Sequence, residues 1–147
     1  MRERSFSINA VAAAPPASVF AVLADAAHWS DWAGPFVPRS VLETPGRDEP
    51  NGVGAVRRLG APPFCSREEI VEFAPPARLA YMLRSGLPVR DYRSVVDLSP
   101  NGTGTALAWH STFRPVVPGT GPLLRWALRA IVGGFARRLV AYAPGPS

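Results

Sequence analysis

The segment from Gly119 to Tyr142 constrains the fold more than any other part of this chain. Leu124, Leu128, Ile131, Phe135, Leu139 and Tyr142 recur at steps of four, three, four, four and three. At about 100° per residue these side chains share one narrow stripe, the pattern of a helix lying on a hydrophobic surface. Pro118 and Gly119 precede the stripe, and Pro144-Gly145-Pro146 stop it. Arg125 and Arg129 fall toward the other side, along with Trp126 and Val140. The upstream segments read mostly as short strands. The chain therefore predicts a sheet wrapped around one long closing helix, with the space between them as the candidate site.

Residues 4–12, RSFSINAVA, place Phe6, Ile8 and Ala10 on one side and Ser5, Ser7 and Asn9 on the other, which is a strand. Pro15-Pro16 opens a short helix with Val19, Phe20 and Leu23 on its apolar face. Asp25 is placed to cap a second short helix running through Trp29 and Trp32. Strands are expected over Val37–Glu43, Ala55–Leu59, Cys65–Phe73 and Leu79–Arg84, with a turn at Gly60-Ala61-Pro62-Pro63. Val89–Leu98 sets Tyr92, Ser94, Val96 and Leu98 on one face; Thr105–Phe113 does the same with Leu107, Trp109, Ser111 and Phe113. Pro100-Asn101-Gly102 joins the two as a hairpin. The order is strand, two short helices, about six antiparallel strands and a long helix, which makes one α+β domain over residues 1–147. Twisted antiparallel sheets curl. A curled sheet gripping a helix encloses a cavity unless large side chains fill it.

Composition narrows the functions. With 47% hydrophobic and 18% charged residues the chain fits a globular domain, and no apolar run approaches a membrane span. The N-terminus lacks the apolar core of a signal peptide, so a cytoplasmic location is expected. Cys65 is alone and only His28 and His110 are present, so neither a disulfide nor a metal site is expected, and no cofactor is implied. Phosphate-binding glycine loops and the Gly-x-Ser-x-Gly elbow are absent. All sixteen basic residues are arginine, and the net charge of +5 lies wholly in residues 98–147, which hold five arginines and no acid. The expectation is a solvated helix face: no nucleic-acid partner, no stable membrane insertion and little association with acidic vesicles.

Four stretches together resemble a known family. They are PPASVFAVLADAAHWSDW at 15–32, EEIVEFAPPARLAYMLRSG at 68–86, DYRSVVDLSPNGTGTALAWHSTFRP at 91–115 and the closing helix. In order and spacing they resemble the START-related helix-grip superfamily, specifically its polyketide cyclase/dehydrase and lipid-transport group. The resemblance implies six or seven curved antiparallel strands around the C-terminal helix. It also implies a bound lipid, sterol, hormone or polyketide, and it brings Trp29 and Trp32 to the cavity mouth. It carries no universal catalytic motif.

Candidate residues follow from the alternation. Trp109, Tyr92 and Phe113 should share the concave face with Ser94 and Ser111, and Leu128, Ile131 and Phe135 should face them from the helix. Aromatic walls with a few polar atoms suit a flat, oxygenated ligand. Tyr81 and Tyr92 can donate to a ligand carbonyl, and Arg84 can polarise one. Tyr81 and Leu83 alternate against Met82 and Arg84, so only one pair can face in. His110 alternates against Trp109 and faces out. Glu68, Glu69 and Glu72 straddle both faces; one can face in beside Arg84 or Arg67, but edge salt bridges are the expected use. The expected function is binding of a small hydrophobic or aromatic molecule, as a metal-free cyclase or dehydratase of bacterial secondary metabolism. The alternative is a non-catalytic hydrophobic-ligand or lipid carrier or sensor with the same pocket, and a third reading is a membrane-surface lipid-handling protein using the arginine-bearing helix.

Overall fold

The computed structural model describes residues 2–61 and 64–143. Pro62-Pro63 and the stop sequence Pro144-Gly145-Pro146 lie outside the described residues. Seven strands form one antiparallel sheet: β1 (Arg4–Ala12), β2 (Ser40–Thr44), β3 (Val56–Ala61), β4 (Phe64–Ala74), β5 (Arg78–Ser85), β6 (Val89–Asn101) and β7 (Gly104–Pro115). Their order across the sheet is β1-β7-β6-β5-β4-β3-β2. Each neighbour from β2 to β7 is also the next strand in sequence. Only β1 is long-range, paired to β7 with Ile8 opposite Trp109.

Helix α1 (Pro16–Ala24) follows β1, and a 3₁₀ helix (Ala26–Asp31) follows α1. Asp25 does not cap that 3₁₀ helix through its side chain. Its carboxylate instead accepts from the His28 ring at 2.8 Å, which corrects the expected cap. The backbone of His28 still donates to the Asp25 carbonyl, closing the turn.

The long helix α2 (Gly121–Tyr142) closes the fold, but its buried stripe is rotated from the expected one. Leu128, Val132, Ala136 and Leu139 are buried, whereas Leu124, Ile131 and Phe135 are half-buried and Tyr142 is 50% exposed. The buried face of α2 includes Gly133, where an added Cβ would stand at ordinary contact distance, 3.5 Å, from the Ile8 side chain of β1. Val132 and Ala136 are buried with it, and the larger Ile131 and Phe135 fall at the margin. Val140, expected on the weakly polar side, packs against the core. Trp126 lies on the solvent side as expected.

Candidate functional site

Strand register assembles the concave face in rows. Tyr81 on β5 is opposite Ser94 on β6, Ser94 is opposite Ser111 on β7, and Ser111 is opposite Phe6 on β1. The next row carries Leu79, Val96, Trp109 and Ile8. At the centre the Ser94 and Ser111 hydroxyls are 2.6 Å apart and buried. Tyr92 stacks on Phe113 with ring centres 6.4 Å apart. Burial pushes the Tyr81 phenol far above its ordinary range and raises that of Tyr92. Both are therefore protonated donors at neutral pH. Ser94, Ser111 and Tyr81 lie close enough to the Tyr92 phenol to oppose part of its shift.

The most unusual group here is one that strand alternation alone did not single out. Arg57, on β3, is 1% exposed, and its Nε donates to Glu68 Oε1 at 2.9 Å. Arg57 and Glu68 are direct partners across β3 and β4, so the register itself creates the pair. The guanidinium carbon lies 4.4 Å from the Trp29 ring centre and 4.8 Å from that of Tyr81, held between two π-faces. Trp29 Nε1 donates to the Leu23 carbonyl at 2.8 Å, and Arg57 Nη1 approaches the same oxygen at 3.5 Å. The end of α1 thus fixes both. Burial raises the Glu68 carboxyl above its ordinary value, against the opposing pull of Arg57. The sequence signal was available only in hindsight of pairing: Ala55, Arg57 and Leu59 occupy alternate positions, and Arg57 shares their inward face.

Three buried donors around this group lack partners among the described residues: Arg57 Nη2, Trp109 Nε1 and Trp32 Nε1. Their rings are neighbours. Trp29 contacts Trp32 at 4.5 Å, Trp109 at 6.2 Å and Phe135 of α2 at 5.5 Å between ring centres, and Tyr81 meets Trp109 at 6.4 Å. Buried polar groups are almost always hydrogen-bonded, so such a cluster of orphans is a place that a ligand oxygen would satisfy.

The expected site residues are only partly gathered. Trp29, Tyr81, Tyr92, Ser94, Trp109, Ser111 and Phe113 meet in the interior, and Phe135 joins them from α2. Leu128 is buried at the same core, and Ile131 lies on the margin. Arg84 is not among them: Tyr81 faces in, so Arg84 faces out and pairs with Glu69 on the exposed side. Of the three glutamates, Glu68 faces in, with Arg57 rather than Arg84 or Arg67. Glu72 bonds Arg93 at 3.1 Å, and Arg67 takes Glu43. His110 faces out and meets the Ser7 hydroxyl at 2.7 Å.

In this conformation the interior is closed. Trp109, Phe113, Ser94 and Ser111 have no accessible surface, so no water-sized space adjoins them. The aromatic rings fill the volume between sheet and helix. Grooves among the described residues lie outside it. One, of about 440 Å³, runs between α1 and the loops carrying Asn51 and Pro75. A second, of about 320 Å³, is bounded by Asp25, His28, Trp32 and Tyr142, and a third, of about 290 Å³, lies over β1, β6 and β7 at Val11, Asp97 and Ala106. Trp32 therefore touches both an outer groove and Trp29 of the interior.

The same architecture occurs in known structures of low sequence identity. A START superfamily protein from Mycobacterium smegmatis superposes with a TM-score of 0.80 at 15% identity, covering 95% of this chain and 96% of that one. The protein XoxI from Bacillus cereus gives 0.74 at 20% identity, covering 96% and 94%. Ara h 8.0201 gives 0.73 at 15% identity, covering 96% and 97%. These likenesses establish the helix-grip fold. A comparison with curated proteins gives no match. The model of one sequence family, polyketide cyclase / dehydrase and lipid transport, matches residues 3–144. With nearly the whole length matched and the sheet wrapped on α2 as that family's fold requires, the chain belongs to the polyketide cyclase/dehydrase and lipid transport family.

Proposed function

We propose that the interior receives one small, largely apolar molecule carrying a carbonyl or carboxylate oxygen, and that the protein acts on it as a polyketide cyclase or dehydratase. The observation that carries this is the buried Arg57–Glu68 pair with Arg57 Nη2 unpartnered, set among aromatic rings. Arg57 is placed to hold a carbonyl oxygen and the charge that develops on it. Glu68, with its raised affinity for a proton, is suited to take one from the adjacent carbon. The resulting enolate carbon attacks a second carbonyl of the same folded chain, and the new alkoxide recovers the proton. Loss of that hydroxyl together with a proton from the neighbouring carbon, as water, and enolisation of the remaining ring carbonyls complete an aromatic ring. Tyr81 and Tyr92 stay protonated and supply further hydrogen bonds, and the aromatic walls hold the chain in a reactive conformer.

The closed packing makes binding an opening event. Trp32, just past the end of the 3₁₀ helix, and Phe135 of α2 border the interior and are the side chains to yield. The apparent affinity is then reduced by the fraction of molecules that are open. The sealed, mostly apolar packing also supports a second reading, a carrier that shields its cargo from water.

The test is a titration with a hydroxylated anthraquinone, read by tryptophan emission. Quenching is expected, reduced in Trp109→Phe and retained in Trp126→Phe. Glu68→Gln separates the two readings. It abolishes turnover of a poly-β-keto substrate by an enzyme while leaving quenching in place, whereas a carrier turns nothing over in either form. Absence of quenching by any oxygenated aromatic probe would sink both.

A further inference from the structure

We propose that the end of the molecule where α2 begins docks on an anionic lipid surface. The inference is independent of what the interior binds. Five large apolar side chains are exposed there: Leu87, Val116, Val117 (52%), Leu123 (66%) and Trp126 (70%). They belong to adjoining segments. The Val116 amide donates to the Pro88 carbonyl at 3.2 Å, which brings the β5–β6 turn against the end of β7. The Thr120 amide donates to Val117, and Leu124 to Thr120, so the loop runs straight into the first turn of α2. Leu123 and Trp126 are three apart on that helix and share a face. Isolated apolar residues on a surface need no explanation, but a cluster of five at one end does.

Charge identifies the occupant. Arg90 and Arg114 oppose each other across β6 and β7 at this end, and Arg125 and Arg129 flank Trp126 on α2. Among the described residues no carboxylate lies within 4 Å of Arg90, Arg125 or Arg129, and Arg114 has only Asp91 at 3.9 Å. Arg125 bonds a backbone carbonyl, that of Ser5. Arg4 lies over the first turn of α2, where a Cβ at Gly121 would come within 2.6 Å of its Nε. That Nε is buried without a partner among the described residues. No acidic residue occupies the first turn of α2, so the positive end of the helix dipole is uncompensated.

A second copy of this chain would bring the same arginines and repel. A bilayer with anionic headgroups brings apolar depth for the side chains and negative charge for the surrounding guanidinium groups. Tryptophan suits that boundary, and arginine stems reach from apolar surroundings to phosphate. The docking is interfacial, because no helix of the described residues is long and apolar enough to cross a membrane. It departs from the sequence expectation of little vesicle association, which considered the charge without the apolar cluster.

The experiment is co-sedimentation of the full chain with phosphatidylcholine vesicles, with and without phosphatidylglycerol, joined to acrylamide quenching. The other three tryptophans are buried, so quenching reports Trp126. Association is expected with phosphatidylglycerol only, with Trp126 shielded from acrylamide and release as salt shortens the Debye length. Arg125→Gln and Arg129→Gln should each weaken it roughly fivefold, as for single basic residues at anionic membranes. Leu123→Ser with Trp126→Ser should weaken it roughly tenfold or more by removing the apolar contact. All these side chains are exposed, and circular dichroism checks that the variants fold. No sedimentation with phosphatidylglycerol vesicles at low salt overturns the proposal. So does binding that ignores the Leu123/Trp126 variant, or a concentration-dependent dimer that Trp126→Ser disperses.

Discussion

Replacing Arg57 and Glu68 singly and together distinguishes a pair kept for function from one kept for stability. Arg57→Met removes one charge-assisted hydrogen bond at 2.9 Å and two ring contacts at 4.4 and 4.8 Å. By typical magnitudes these amount to about 1.5–3 kcal/mol for the bond and about 0.5–2 kcal/mol for each ring contact. Glu68 then remains buried without its cation, although its raised proton affinity lets it neutralise instead of staying charged. The expected loss is about 3–5 kcal/mol, the usual cost of breaking a buried pair from one side. The double change Arg57→Met/Glu68→Leu removes both desolvation penalties and the orphaned Nη2. Buried pairs replaced by apolar residues are commonly neutral or up to about 4 kcal/mol more stable. Urea unfolding followed by far-UV circular dichroism measures all three proteins and the wild type. If the double variant is at least as stable as wild type, the pair is held at a cost, which is the mark of a group that serves a ligand. A double variant that loses more than about 3 kcal/mol would refute the reasoning and make the pair a structural tie.

Phe135→Ala is expected to cost about 2–3 kcal/mol, below the ~3–5 kcal/mol of a fully buried aromatic, because Phe135 lies at the margin of the α2 contact. Leu139→Ala, at a fully buried position, should cost at least as much, and equal denaturant midpoints for Leu139→Ala and wild type would contradict the helix placement. The Glu68 carboxyl gives a pH dependence of known sign. Its ordinary value is 4.5, and burial raises it in the folded state, so the native chain holds that proton to higher pH than the unfolded chain does. The stability from this proton is complete below 4.5 and is lost as pH rises through the folded value. Thermal midpoints of wild type minus Glu68→Gln should therefore fall with rising pH across that window; a difference that rises would reverse the assignment.

Much of the interior was legible because alternation in a half-buried strand leaves little freedom. Once Trp109 is inward, so are Ser111, Phe113 and Leu107, and His110 must face out. What alternation cannot supply is the phase of a short strand carrying both charged and apolar residues. Tyr81 or Arg84 had to face in, and only the sheet's register settled on Tyr81. Arg57 was missed for a related reason: an arginine in a short strand reads as solvent-exposed until Glu68 is found opposite it. The α2 stripe was displaced because hydrophobic periodicity weighs large side chains, whereas the buried face also takes in the small residues Gly133, Gly134 and Ala136. Loop conformations carry no periodicity at all. The apolar cluster at the start of α2 thus became visible only when the β5–β6 turn and the end of β7 were brought beside it.

The pairing of β1 with β7 also sets how this chain must come together in time. Ser7 bonds His110 across a separation of 103 residues, and every other strand pair is between sequence neighbours. Strands β2 to β7 can add one after another as they are synthesised, but β1, made first, has its partner made last. At about 5–20 residues per second, β1 waits on the order of 5–20 seconds with Phe6 and Ile8 uncovered. Its docking closes the longest loop in the molecule and is the step most sensitive to chain entropy. Until β7 pairs with it and α2 covers its inner face, that first strand has both edges and its apolar side open, and the nascent chain is at its most vulnerable to pairing with a neighbour.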